Sequence, residues 1–255
     1  MKRKIVVGNW KMDPKSIVEA KAIFSKIKRA SLKAKSLVVL CPSDVHIAVL
    51  AKLAGKGPVR MGAQDVFSEP DGHFTGQVSP GMKYDVGARY AILGHSEKRA
   101  RGDSNADVSK KALLVSKLGM NSIVCIGEDK RDSEGDYLEF LRQEISESLG
   151  GLPRAYVAKS LILAYEPLWT IGRADFVAMK PHDVHETSIF IRKVLADLYG
   201  RDTADEVPIL YGGSVTSDNS RDIVFEGGVD GLLVGRQSLD PLAFASILKN
   251  LDGRR

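Results

Sequence analysis

The chain has 255 residues, of which 44% are apolar and 27% charged, and its net charge is +5 at neutral pH. A globular chain of this length buries most of its apolar surface; no apolar run is long enough to span a bilayer, and Ile5-Val6-Val7 after the basic start is too short for a signal-peptide core. The basic residues lie among acidic ones with no block and no aromatic interleaving, so the charge reads as an evenly solvated surface rather than a nucleic-acid interface.

Lys4-Ile5-Val6-Val7-Gly8 is a short β-branched run and predicts a strand. Asp13-Pro14 then reads as a cap followed by an N1 proline, with Ile17, Ala20, Phe24 and Ile27 forming one helical face. Ser36 to Cys41 predicts a second strand, Asp44 to Ala54 a helix, Val59 to Ala63 a third strand and Tyr90 to Gly94 a fourth. A long loop, Asp65 to Ser79, and a short Pro/Gly-rich helix, Pro80 to Val86, separate the last two. A helix from Asn105 to Leu118, a strand from Ser122 to Ile126, and a helix from Tyr137 to Leu149 follow. The sixth strand starts at Ser160 and ends in the carboxylate Glu166. Pro181 opens a long helix whose apolar face is Val184, Ile191, Val194, Leu195 and Leu198. The strand Pro208 to Tyr211, a helix from Asp218 to Phe225, the strand Gly231 to Gly235 and a helix from Pro241 to Leu251 complete the series.

These strands are continuous apolar runs, as expected where a parallel sheet is covered on both faces. Eight strand–helix units with no linker between them predict an α/β chain forming one (β/α)8 barrel domain over residues 1–255. An open doubly wound sheet is the alternative, disfavoured because no Gly-x-Gly-x-x-Gly follows the first strand. Cys41 and Cys125 lie in or at the end of strand-like runs, which predicts buried, reduced thiols and a cytoplasmic location.

In a barrel the strand C-termini share one mouth, where active sites are built. Asn9 and Lys11 follow the first strand, His95, Ser96 and Glu97 the fourth, Glu166 the sixth, Ser214 the seventh and Gly235 the eighth. Taken singly, a strand-end Glu is a capping or salt-bridging residue and a lone His is structural. Together they suit proton abstraction beside a carbonyl: Glu166 as base, His95 as hydrogen-bond donor to the carbonyl oxygen, and Lys11 and Asn9 as fixed positive charge and amide donor. The glycine-rich turns after the seventh and eighth strands suit a phosphate. None of these steps calls for a cofactor or a metal. His182 and His185 lie three apart with no third ligand evident from the sequence.

The segments GNWKM, GAQD, FTG, ILGHSEKR, CIGE, AYEPLWTIG, YGGSV and GVDGLLVG, in this order, closely resemble the triosephosphate isomerase family along almost the whole chain. The resemblance implies a TIM barrel that interconverts D-glyceraldehyde 3-phosphate and dihydroxyacetone phosphate in glycolysis and gluconeogenesis without a cofactor. The family is itself the reference case of a neutral catalytic histidine and a closing loop. By position, Glu166 matches the base, His95 the neutral electrophile, Lys11 and Asn9 the enediolate-stabilising pair, and Glu97 the partner of the lysine. Ser96 opens a short helix whose N-terminus faces His95. Gly172, Ser214 and Gly235, with Arg236 beside it, match the phosphate-gripping positions. Pro167, Trp169, Ile171 and Tyr211 match the lid and its support. The loop Asp65 to Ser79 resembles the family's dimer loop, which implies a homodimer with Thr75 beside the partner's Asn9 and His95.

Three positions depart from the family's pattern: Arg173-Ala174 in a lid segment about two residues longer than is common, Arg236 in place of a second glycine, and Gln77 in place of an acid. A positive φ at Arg236 would cost about 1 kcal/mol. An isomerase for a longer sugar phosphate, or a catalytically silent barrel, are the competing readings. Retention of Asn9, Lys11, His95 and Glu166 together argues against silence.

Overall fold

The computed structural model describes residues 2–132, 134–170 and 178–253. Eight parallel strands close on themselves in sequence order: β1 (Ile5–Asn9), β2 (Leu37–Cys41), β3 (Val59–Ala63), β4 (Tyr90–Leu93), β5 (Asn121–Ile126), β6 (Leu161–Tyr165), β7 (Ile209–Tyr211) and β8 (Gly231–Val234). Helices α1 (Ile17–Ser31), α2 (Asp44–Ala54), α3 (Pro80–Asp85), α4 (Ser96–Arg99), α5 (Asn105–Lys117), α6 (Asp136–Ser148), α7 (Arg154–Ser160), α8 (Pro181–Tyr199), α9 (Arg201–Glu206), α10 (Ser220–Phe225) and α11 (Pro241–Asp252) fill the connections. The expected (β/α)8 barrel is therefore the fold. None of the described helices is long and apolar enough to cross a membrane.

Alternate strand residues divide the core in two. Ile5, Val7, Val39, Cys41, Ile92, Ile123, Cys125, Ile162, Ala164, Leu210 and Leu233 pack together as one buried cluster. This is the barrel interior. The intervening residues, among them Val6, Val38, Leu40, Val124 and Leu163, meet the helices from outside together with Phe24, Ile47, Ile191 and Phe244. Both thiols are free and buried, as their strand positions imply.

Several elements differ from the sequence expectation. The first helix does not start at Asp13-Pro14. Ser16 is its cap, with its hydroxyl accepting from the Glu19 N–H at 3.2 Å, and the first helical residue is Ile17. α7 and α9 are additional helices. In α7 only Val157 is buried, and in α9 only Thr203 and Ala204, so neither presents an apolar stripe. α10 begins two residues later than expected, at Ser220. Leu198, expected on the apolar face of α8, is 43% exposed in its last turn.

Loop 65–79 is pinned at its base. The carboxylate of Asp65 accepts from Lys111 Nζ at 3.0 Å and Lys98 Nζ at 3.0 Å, and its carbonyl accepts from buried Lys83 at 2.7 Å. The Phe67 and Phe74 rings pack 4.8 Å apart, giving the loop a small core of its own. Its tip, Thr75 included, is exposed.

Barrel closure depends on the β1–β8 seam, where Gly231 pairs with Ile5. A Cβ on Gly231 would lie 1.8 Å from the Ile5 carbonyl oxygen, a contact that no rotamer change relieves. Gly231→Ala is therefore expected to destabilise the protein by about 3 kcal/mol, to be read from the urea midpoint.

Candidate active site

The two-residue period of the strands decides which side chains reach the mouth. In β1 the inward series Ile5, Val7 continues to Asn9, and in β6 the series Ile162, Ala164 continues to Glu166. The same series in β7 and β8 end in Gly212 and Gly235. A Cβ on Gly212 would lie 2.9 Å from Cγ of Glu166, so the glycine there makes room for the carboxylate. The result is a cavity of about 490 Å³ lined by Asn9, Lys11, His95, Glu97, Glu166, Ser214, Gly235 and Arg236, among others.

Lys11 reaches this cavity from an unusual backbone. Its φ of 55° is the one left-handed value among the described non-glycine residues. Such a conformation costs about 1 kcal/mol or more and persists only where neighbours enforce it. Here the Lys11 N–H donates to Asn9 Oδ1 at 3.1 Å, and the Lys11 carbonyl accepts from Ser43 Oγ at 2.9 Å and Gln64 Nε2 at 2.7 Å. Its ammonium reaches Glu97 Oε1 at 2.5 Å. Partial burial pushes the Glu97 carboxyl up, but the hydrogen bond and charge of Lys11 outweigh it and hold the group below its ordinary value.

Helix α4 uses its first free N–H groups on the two titratable side chains. His95 is the cap, and its Nδ1 accepts from the Glu97 N–H at 3.1 Å. That bond leaves the ring proton on Nε2, which faces Glu166 Oε1 at 3.2 Å. Glu166 Oε2 accepts from the Ser96 N–H at 3.0 Å. The carboxylate is only 2% exposed and has no lysine or arginine partner among the described residues. Burial and the charge of Glu166 push the neighbouring Cys125 thiol well above its ordinary value, so it stays protonated.

On the far side of the cavity, Gly235 leads into a 3-10 turn, Arg236–Ser238. Ser238 Oγ donates to the Gly235 carbonyl at 2.7 Å, and the Trp10 indole donates to the Ser238 carbonyl at 3.1 Å, which fastens this turn to β1. Arg236 is exposed at the rim and its φ is not positive, so the strain considered for a non-glycine residue there does not arise.

The segment after Glu166 is held on both sides. Ser214 Oγ donates to the Thr170 carbonyl at 2.7 Å, and the Pro167 carbonyl accepts from Thr170 N–H at 2.9 Å. The Trp169 indole donates to Glu128 Oε1 at 3.2 Å; the same oxygen accepts from Tyr165 OH at 2.7 Å and from Arg131 Nε at 3.1 Å. Tyr211 is buried beneath this joint, and burial pushes its phenol up to about 12. Ile171, Gly172 and the Arg173-Ala174 departure lie outside the described residues.

Asn9, Lys11, His95, Ser96, Glu97, Glu166, Ser214, Gly235 and Arg236 are thus brought together at one mouth. Pro167, Trp169 and Tyr211 stand behind them. Thr75 does not join this cavity of its own chain. Residues missed from sequence include Gln64 and the pair Glu128–Arg131, although Gln64 and Glu128 sit in quoted segments that point to them. Around His182 the structure gathers Asp183 and Glu186, at 3.6 and 3.8 Å, in place of the expected lack of a third ligand. His182 and Glu186 are exposed and Asp183 is partly so; His185 instead packs over Gly228.

A family model described as triosephosphate isomerase matches residues 4–251. The chain is 39% identical over 250 residues to the triosephosphate isomerase of Moorella thermoacetica, covering 97% of this chain and 98% of that one. It is 39% identical over 253 residues to that of Citrifermentans bemidjiense, covering 98% and 99%, and 36% identical over 250 residues to that of a Thermoanaerobacter species, covering 97% and 99%. On the family match and these relatives, whose length it shares, the chain belongs to the triosephosphate isomerase family.

Proposed function

We propose that this chain interconverts D-glyceraldehyde 3-phosphate and dihydroxyacetone phosphate through an enediolate, by general acid–base catalysis without a cofactor. The observation that carries the reading is a buried carboxylate, Glu166, in the same cavity as an imidazole N–H and an ammonium, with no lysine or arginine partner of its own among the described residues. Such a carboxylate is a competent base only if it gains something on leaving its resting partners. Moving from the Ser96 N–H toward a bound substrate, it takes a proton from the carbon beside the carbonyl. His95 Nε2–H donates to the carbonyl oxygen as negative charge grows there, and Lys11 and Asn9 offset that charge on the other side. His95 Nε2 gives its proton to that oxygen and takes the hydroxyl proton from the neighbouring one, while Glu166 returns the carbon proton to the neighbouring carbon, which completes the shift of the carbonyl.

The phosphate fits the opposite wall, on the Gly235 turn with Ser214 and the Arg236 guanidinium, and Gly172 is expected to join it from the lid. Pro167, Trp169 and Tyr211 support that lid. The overall charge of +5 favours approach of an anion. Replacing the carboxylate by an isosteric amide tests the base. Glu166→Gln is expected to lower kcat by about 1,000-fold in a coupled isomerisation assay, with far-UV circular dichroism unchanged. Absence of turnover in the wild type would sink the reading.

A homodimer formed through loop 65–79 is part of the same proposal. Supporting it, Phe74 at the loop tip, with Met12, Val45 and Met82, leaves large apolar side chains exposed, which a monomer has little reason to keep. Thr75 then reaches Asn9 and His95 of the other copy. Phe74→Asp is expected to shift the sedimentation coefficient to that of a monomer and to reduce activity with it. The free, buried thiols suit a cytoplasmic setting.

A further inference from the structure

Behind the site lies a buried ion pair that the chemistry above does not use. Arg99 is the last residue of α4, the short helix capped by His95, and Glu144 lies on α6. Their side chains meet at 3.2 Å. Arg99 Nε also donates to the Gly94 carbonyl at 2.8 Å, immediately before His95. Its Nη2 donates to the Cys125 carbonyl at 3.2 Å and to Ser148 Oγ at 3.1 Å, and its Nη1 to Asn105 Oδ1 at 2.5 Å. Gly94 is needed for this approach, since a Cβ there would lie 2.9 Å from the guanidinium.

Glu144 continues the connection on the other side. Its Oε2 accepts from the Gly127 N–H at 2.7 Å. Gly127 presses directly on Glu166: a Cβ on it would lie 1.8 Å from the Glu166 carbonyl oxygen, and the Glu166 N–H donates to the Ile126 carbonyl at 2.8 Å. An unbroken series of contacts thus runs from His95 through Gly94, Arg99, Glu144 and Gly127 to Glu166.

We propose that Arg99 and Glu144 are positioning residues for the isomerisation, a buried clamp that fixes the distance and angle between His95 and Glu166. This rests on the activity proposed above. A buried ion pair adds little stability beyond what apolar packing would supply, so its presence here needs another reason. The guanidinium provides one, because its rigid fork reaches the backbone on both sides of the site at once. Misplacing reacting groups by an ångström is sufficient to cost large factors in rate.

Glu144→Gln keeps the shape and the acceptor for Gly127 but removes the charge that holds Arg99; Arg99→Lys removes the fork. Each is expected to lower kcat by about 10- to 100-fold, while KM and the inhibition constant of inorganic phosphate stay within about twofold. The affinity for a phosphorylated hydroxamate, a mimic of the enediolate, falls in parallel with kcat/KM. A clamp that served folding alone would lower the thermal midpoint and leave kcat per folded enzyme unchanged, and that result overturns the proposal. So does failure of both variants to fold, or equal weakening of phosphate and hydroxamate. An inactive wild type instead removes the isomerase reading on which the clamp depends.

Folding stability carries a pH signature at Glu144. Burial pushes the Glu144 carboxyl up to about 7; Arg99 and the Gly127 N–H oppose this, and the facing charges of Glu166 and Glu128 add to it. A carboxyl raised on folding contributes stability that is present below its unfolded value and lost as pH rises through about 7. Glu144→Gln is expected to flatten the fall in thermal midpoint between roughly pH 5 and pH 8.

Discussion

Strands β1 and β6 turn every second side chain inward, and closing the sheet forces the last of each series, Asn9 and Glu166, into one cavity. No loop has to be folded to bring them together. The barrel needs its inward positions filled by apolar side chains of moderate size below the mouth, and Val7, Ile92, Ile162 and Leu210 provide that layer. Glycine at 212 then leaves space for the Glu166 side chain, and glycine at 127 for its backbone, that larger residues would occupy. The site is thus the point where the packing pattern of the core stops.

What happens at that point is a transfer of constraint from strands to helix ends. Ser96 and Glu97 each contribute a backbone N–H that a four-residue helix leaves free, one to Glu166 and one to His95. Lys11 is held in a left-handed backbone by Ser43 and Gln64, which belong to different strand–helix connections. Each functional group is therefore fixed by at least one element other than its own. The arrangement has little freedom before substrate arrives, and little reorganisation is left for the reaction itself.

The barrel was legible because both faces of a parallel strand are buried, which leaves eight apolar runs with helical faces between them. Strand ends carrying Asn9, His95 and Glu166 were legible for a related reason: a polar residue that continues a buried run has to be accounted for. Helices α7 and α9 were not, since short, mostly exposed segments carry no apolar period. The capping role of Ser16 was hidden by the more conspicuous Asp13-Pro14. Glu144 could not be distinguished from Glu139 or Glu147 on the same helix, because three carboxylates in a polar stretch look alike until tertiary packing buries one of them.

Helix α7 ends at Ser160 and β6 begins at Leu161, with no linker between them. Most strands of the barrel are entered through a turn that can lengthen or shorten, but this one is entered straight from a helix. An extra residue at this joint would rotate the strand by one position and send Glu166 to the outer face. Insertions, chain breaks and new termini are therefore tolerated in an exposed turn such as Gly55-Lys56 far more readily than here. The joint sets a limit on how the chain can be cut, lengthened or permuted while keeping its mouth intact.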